Sequence, residues 1–298
     1  MGKTPRVCVI GSINMDMVTS TNKVPGQGET VLGESFTTYP GGKGANQAIA
    51  AARSGAEVTM IGAVGKDDFG QSLINRFQQE GINKEAIELI SHESTGVATI
   101  LLSDGDNRII VAPGANHHVT PELIEKKKDM ICANDIILMQ FEIPMETIEY
   151  TTQLAAQHNI PVVINPAPFQ EIPGRVSEAA TFFTPNELEL HAMKETVNIE
   201  TMKEKIMVTK GKNGVDFTLS TGEKKTVHAY SANVKDTTGA GDTFNGAFVT
   251  EFAKEQDIEK AIAFANAAAS LAVEKIGAQE GIPMREAVLE RMKERNGS

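Results

Sequence analysis

The chain has 298 residues, 41% apolar and 22% charged, with no tryptophan and a formal net charge of −11 at pH 7. That is an ordinary soluble composition, long enough for one large α/β domain or two smaller ones. The acidic balance excludes the broad basic surface that nucleic acid or an anionic membrane requires.

The start of the chain, MGKTPRVCVIG, lacks the long apolar stretch of a signal peptide, and no run reaches the length of a membrane span. Cys8 and Cys132 are expected to be reduced thiols, so a cytoplasmic protein is expected. RVCVIGS (6–12) is rich in β-branched residues and ends at glycine, which predicts a buried strand. TVLGESFTTY (30–39) alternates loosely and predicts a strand exposed on one face. GANQAIAAARSGA (44–56) predicts an Ala-rich helix closed by Gly55, VTMIGAVG (58–65) another buried strand, and DFGQSLINRFQQEG (68–81) an amphipathic helix. VATILLSDGDNRIIVAP (97–113) reads as a hairpin turning at SDGDN. DIILMQF (135–141), VVINPAP (162–168), FFTPN (182–186) and IMVTKG (206–211) continue the strands, with a helix over 145–158. A second hairpin is expected over 215–220 and 225–230, then helices over 243–255, 258–276 and 284–295.

Strands alternating with helices predict a three-layer, mostly parallel α/β sheet, in one domain spanning 1–298. Two polar-faced β segments, 12–40 and 97–111, have no helices between their strands and do not suit a buried parallel sheet. They are expected to form one small accessory sheet that can act as a lid; ordinary edge hairpins are the plainer alternative.

The sequence G-x-x-x-x-G-K-[ST] does not occur, and the first strand runs into GSINMD rather than G-x-G-x-x-G. The H-R-D loop of protein kinases is absent, and the adjacent His117 and His118 lack zinc-ligand spacing. GSINMD places Asn14 and Asp16 just beyond the first strand, where open α/β sheets bind ligands. An ionised Asp there offers acceptors to two neighbouring sugar hydroxyls, although turn formation alone also accounts for it. PGGKGANQA (40–48) combines glycines, which permit close backbone approach, with donors on Lys43 and Asn46 at the mouth of a helix. In TPNELEL (184–190), Asn186 and Glu189 fit a capping box and equally fit a phosphate and Mg²⁺ site. VTKGKNG (208–214) ends a strand with Thr209 and Gly211, a weak nucleotide signal. In DTTGAGDTFNGAF (236–248), Gly239, Ala240 and Gly241 form an anion-suited turn that opens a helix, yet the next residue is the acid Asp242.

Together PGGKGANQAIAAARSGA and DTTGAGDTFNGAF, in this order, resemble the two signatures of the ribokinase family of carbohydrate and nucleoside kinases. The likeness runs from about residue 6 to residue 285, and GSINMD, GGKGANQA and NPAP (165–168) resemble most the members that act on ribose. The resemblance implies a doubly wound sheet with a β lid that also joins two copies into a homodimer. It implies transfer of the ATP γ-phosphoryl group to O5 of D-ribose; a kinase of deoxyribose, fructose, another pentose or a nucleoside is the alternative, and a non-catalytic sensor a more distant one. Asn14, Asp16, Gly42, Lys43, Asn46 and Glu142 then match sugar contacts. Asn186, Thr209, Lys210, Gly211, Lys212, Asn213, Gly214, Gly241 and Asn266 match nucleotide contacts. Gly239, Ala240 and Gly241 match the anion hole and Asp242 the general base, with the helix N-cap as its plainer role. Asp236, Thr238, Ala272, Lys275 and Gly277 match ligands of an activating K⁺, and Glu189 matches a group that orders Mg²⁺ through water. The chain departs from the family pattern twice. Gly281 stands where GAQxS supplies a hydroxyl ligand to K⁺, and the segment from Asn186 to Thr209 is short enough for a single helix.

Overall fold

In the computed structural model, which describes residues 3–103 and 106–296, the β-branched runs do form strands. The first half holds β1 (Arg6–Ile10), β2 (Asn14–Ser20), β3 (Ser35–Gly41), α1 (Lys43–Arg53), β4 (Glu57–Gly65), α2 (Asp68–Gln79), β5 (Ile87–Ile90), β6 (Gly96–Ser103) and β7 (Asp106–Ala112). Then come α3 (Pro121–Lys126), α4 (Lys128–Cys132), β8 (Ile136–Gln140), α5 (Met145–Gln157), β9 (Val162–Asn165), α6 (Gly174–Ala179) and β10 (Phe182–Phe183). The last part holds α7 (Glu187–Thr196), α8 (Ile199–Met202), β11 (Met207–Thr209), β12 (Val215–Thr218), β13 (Lys224–Val227), α9 (Ala240–Glu255), α10 (Ile258–Ala272) and α11 (Arg285–Asn296).

Six strands form one parallel sheet in the order β10-β9-β8-β1-β4-β5. Its direction of winding reverses between β1 and β8, which pair in register at Val7 and Ile136. The crevice at the carboxyl ends of such a pair is where open α/β sheets bind ligands. The antiparallel β11-β12-β13 set extends the β10 edge through the bridges Phe183–Ile206 and Asn186–Thr209. Alternation along β1 splits the core into two. Val7 and Val9 pack with α1, α9 and α10, while Cys8 and Ile10 pack with α3 and α5 on the other face. Each fully buried aliphatic or aromatic side chain here contributes about 1.5–3 kcal/mol.

Helices α1 and α9 meet unusually closely. A Cβ on Gly246 would lie 2.4 Å from the Gln47 carbonyl oxygen, so only glycine permits this approach. Asp242 sits one helical turn before Gly246, so the same contact brings Asn46 and Gln47 of α1 beside it.

The two helix-poor β segments meet in a four-stranded sheet, β3-β2-β6-β7. Its β2–β6 pair is parallel and its outer pairs are antiparallel. The register places Asp16, Tyr39, Ala98 and Val111 in one row across a single face. The expected SDGDN turn includes Asp104 and Gly105, which lie outside the described residues. Asn14 and Asp16, just beyond the first strand and within the expected 12–40 β segment, begin β2. Between Asn186 and Thr209 the chain forms two helices rather than one. Extended Val197 ends α7, and the Asn198 side chain caps α8 by accepting from Glu200 N.

Candidate active site

The glycine turn before α9 is fixed by its surroundings. Gly239 has φ 76°, and a Cβ there would lie 2.7 Å from the Ala278 carbonyl oxygen. The following backbone N–H groups, of Gly241 and Asp242, belong to a first helical turn that has no carbonyl four residues back to bond. A Cβ on Gly241 would meet nothing within 4 Å, so its openness serves space outside the chain rather than internal packing. Gly241 and Asp242 face a cavity of about 390 Å³.

Asp242 is only 7% exposed. Its Oδ2 accepts from Asn46 Nδ2 at 2.9 Å, and its Oδ1 accepts from Gln47 Nε2 at 2.9 Å. Behind them, Gln279 Nε2 donates to Asn46 Oδ1 at 3.0 Å and Gln140 Nε2 to Gln47 Oε1 at 2.7 Å. The Gln279 loop is tied to α1 by Arg53, whose Nη1 donates to the carbonyls of Gln279 and Ile282 at 3.0 and 2.8 Å. Arg53 is itself held by both oxygens of Glu80.

Lys43 lines the cavity among four acids. Burial lowers the pKa of its ammonium, but Asp242, Glu142, Glu189 and Asp16 outweigh burial and raise it. Burial, with the like charges of Glu142 and Asp242, pushes the Asp16 carboxyl up to about 7, against the pull of Lys43. Glu142 Oε2 accepts from the Lys43 backbone N–H at 3.1 Å and from the Ser12 hydroxyl. Gly42 has φ 90°, and a Cβ there would lie 2.7 Å from Asn14 N. Asn14 turns its Oδ1 to Asn116 Nδ2 at 2.7 Å, and both ends of Asn46 are engaged within the chain.

On the other flank Asn186, Thr209, Gly211, Gly214 and Asn266 line the same cavity. Lys210, Lys212 and Asn213 do not line it: Lys212 and Asn213 are exposed on the 3₁₀ turn over Gly211–Asn213, and Lys210 pairs with Asp216 at 3.0 Å. The two readings of TPNELEL prove compatible. Asn186 and Glu189 form a reciprocal capping box, with both bonds at 2.8 Å, and both line the cavity. Burial raises the Glu189 pKa.

Asp236 lies beyond the glycine turn. Burial opposes its ionisation, but N–H groups of Gly277 and Thr238 bond its two oxygens at 2.9 Å each and lower its pKa overall. Of the carbonyls matched to the same cation, those of Ala272 and Gly277 accept from Lys275 N and Gly281 N at 3.3 Å each, and oxygen donors of this kind suit a hard cation. A Cβ on Gly281 would lie 2.5 Å from the Ala272 carbonyl oxygen, so this backbone has closed over the space a side chain would need. Among the described residues no group of three or more His, Cys, Asp or Glu is placed to hold a metal ion.

Sequence reading overlooked Gln47, Gln140, Gln279 and Asn245. Asn245 Nδ2 donates to the Gly241 carbonyl at 2.9 Å and its Oδ1 accepts from Thr184 at 2.6 Å. The one visible signal was Gln140, a polar residue ending the apolar run DIILMQF.

The sequence pattern of the pfkB family of carbohydrate kinases matches residues 4–285. The chain is 43% identical to a ribokinase of Bacillus subtilis over 289 residues, covering 95% of this chain and 98% of that one. It is 34% identical to a deoxyribokinase of Salmonella typhi, covering 93% and 95% of the two chains. Its structure superposes on the Arabidopsis thaliana ribokinase complexed with ribose and ATP at TM-score 0.90 and 29% identity, covering 98% and 99% of the chains. With signatures, fold and cavity in agreement over nearly the whole length, the chain belongs to the pfkB family of carbohydrate kinases.

Proposed function

We propose that the protein transfers the γ-phosphoryl group of ATP to the O5 hydroxyl of D-ribose, giving ribose 5-phosphate and ADP. The observation that carries this is Asp242: a buried carboxylate, gripped by two amides, at the mouth of a helix whose first N–H groups face the same cavity. Phosphoryl transfer asks for in-line positioning and charge stabilisation rather than covalent chemistry from the protein. Asp242 takes the proton of the attacking hydroxyl as the bond to phosphorus forms. The N–H groups of the Gly239–Asp242 turn, aided by the positive end of α9, hold the oxygens of the moving phosphoryl group. Lys43 contributes positive charge at the boundary of the sugar and phosphate sides.

Asp16 and Glu142 accept from ribose hydroxyls, with Asn14 and the Gly42 backbone bordering them. Asn46 reaches sugar only by exchanging a bond it now makes inside the chain. Thr209, Gly211, Gly214, Asn186 and Asn266 form the nucleotide wall. Mg²⁺, when bound with ATP, neutralises phosphate charge, and Glu189 Oε1, outside the capping box, is the oxygen left to order its water shell. Asp236 and the carbonyls of Thr238, Ala272, Lys275 and Gly277 would hold K⁺, with one ligand fewer than the family pattern because Gly281 has no hydroxyl.

The β3-β2-β6-β7 sheet acts as a lid and joins two copies, since its Asp16 face exposes Tyr39, Ile109 and Val111. ATP as co-substrate and two unpaired cysteines suit a cytoplasmic location. The test is ADP release by the purified protein with ribose, 2-deoxyribose, fructose and inosine, each with and without K⁺. Ribose is expected to give the highest kcat/KM, with K⁺ stimulation that strengthens in Gly281→Ser if the loop can reopen. A higher kcat/KM for any other sugar overturns the substrate assignment.

A further inference from the structure

The amides around Asp242 form two arms that meet on one carboxylate. One runs from Gln279 through Asn46 to Oδ2, the other from Gln140 through Gln47 to Oδ1. The Gln47 NH₂ group also donates to Asn165 Oδ1 at 3.1 Å, so all of its donors and its acceptor are engaged. Gln47 and Gln140 are wholly buried, and Asn46 and Gln279 nearly so. Burying four amides is costly unless each finds partners: here each NH₂ group donates and the Asn46 and Gln47 oxygens accept, while the Gln140 and Gln279 oxygens have no partner among the described residues.

An ionised carboxylate only accepts, whereas an amide has a donor end and an acceptor end. Asp242 therefore dictates that Gln47 presents its NH₂, which leaves the Gln47 oxygen to accept from Gln140. The orientation is carried from α9 across α1 to β8. The other β8 residues, Ile136, Ile137, Leu138 and Met139, are apolar, so Gln140 is the exception on its strand. Gln140 is also closely seated. A Cβ on Gly11 would lie 1.9 Å from its Oε1, which has no hydrogen-bond partner among the described residues. Glycine at position 11 is what leaves room for this carboxamide.

We propose that Gln47, held by Gln140, is a positioning residue that keeps the Asp242 carboxylate turned and ready to accept the sugar proton. The proposal rests on Asp242 being the general base. Its test is Gln140→Glu, nearly identical in shape. An ionised carboxylate at 140 cannot donate, so Gln47 either loses its partner or turns its oxygen towards Asp242. At about pH 8, kcat is expected to fall tenfold or more, on the scale of a misplaced catalytic group, with KM for ribose and ATP within about threefold. Towards about pH 6 the variant should recover relative to wild type, because a protonated acid donates again. Lys43 from α1, Asp242 from α9, Glu142 after β8 and Asp16 from β2, which act on one another's charge, are common to both proteins, so the ratio at each pH compares like with like.

Wild-type kcat at about pH 8 in a folded Gln140→Glu, a deficit that does not change with pH, or a parallel rise in KM each overturns the proposal. If that variant does not fold, Gln140→Met decides. It removes the donor without a charge, and wild-type kcat in it overturns the proposal, whereas a tenfold loss without recovery at low pH supports it. Asp242→Asn separates the two levels. If it turns over normally, the base assignment fails; if it is inactive while both position-140 variants behave as wild type, the relay alone fails.

Discussion

The surroundings of Asp242 and those of Asp16 are built by opposite means. Around α9 the Asp242 carboxylate is buried with both of its oxygens paired, and glycines 239 and 246 admit no side chain. The β3-β2-β6-β7 sheet carries Asp16 on a face that also exposes Tyr39, Ile109 and Val111 to solvent. The first is held by paired amides and close packing, the preorganisation that favours charge stabilisation in phosphoryl transfer. The second leaves apolar side chains open to solvent, which suits the lid role proposed for it. Under the proposed function, catalytic geometry and substrate access fall to separate structural units.

The largest expected effect breaks the rigid side. Asp242→Asn replaces an acceptor by a group that is half donor, so it must confront either Asn46 Nδ2 or Gln47 Nε2 with another NH₂. Loss of the base alone is worth about 10²–10⁴ in rate. Turnover is expected to fall about a thousandfold or more while ribose binding stays measurable by calorimetry. Near-normal kcat removes Asp242 from the proton transfer. Gly239→Ala should follow, with a loss of about tenfold or more in kcat, since its φ of 76° and the contact with Ala278 both oppose a side chain. Wild-type kinetics in that variant would show that the turn is not fixed.

The next effect acts on the sheet side. Asp16→Asn is expected to raise KM for ribose about tenfold or more with kcat changed much less, because a bidentate acceptor of sugar hydroxyls is lost. The pH dependence has a defined sign. The Asp16 carboxyl in the folded chain titrates at about 7, above its ordinary value of about 3.9. In the sugar-free protein it is therefore mostly protonated below about pH 7, and KM for ribose should rise as pH falls through that value. Between about pH 4 and 7 the folded chain holds a proton that the unfolded chain has released, so stability falls as pH rises across this window. Asp16→Asn should remove both trends, read by KM and by thermal melting across pH; a variant that keeps both assigns them to another group.

Legibility in the sequence followed the same division. The mostly parallel sheet came from β-branched runs alternating with helices, though not its strand order, and the accessory sheet from two β segments too polar-faced for a parallel core. β5 escaped notice because Ile87–Ile90 is four residues with Glu88 inside it. Asp242, Lys43 and the glycine turn stand in contiguous motifs and were legible there. Gln47, Gln140 and Gln279 were not, because no spacing links residues 47, 140 and 279. They meet only after α1 packs on α9 at Gly246 and Arg53 draws in the loop that carries Gln279. Buried amide networks are products of packing, and local sequence holds only their separate ends.

The smallest expected effect tests what the open sheet presents. Pairing places Ile109, Val111 and Tyr39 on the face of Asp16, whereas Phe36 and Ile110 lie on the opposite face. If two copies join through the sugar-side face, Ile109→Asp should shift the sedimentation coefficient to that of a monomer. Ile110→Asp, a similar change one residue away, should leave the assembly intact. Burying several aliphatic side chains at about 1.5–3 kcal/mol each is enough for a stable contact, and one buried unpaired carboxylate is enough to open it. The catalytic consequence should be slight, with KM for ribose raised about threefold and kcat nearly unchanged, because Asp242 and its amides lie on the rigid side. Dissociation by Ile110→Asp instead would assign the interface to the outer face and leave the Asp16 face as a lid surface alone. A dimer that survives both changes would separate assembly from this sheet altogether, and a monomeric wild type would mean that closure over the sugar is achieved within one chain.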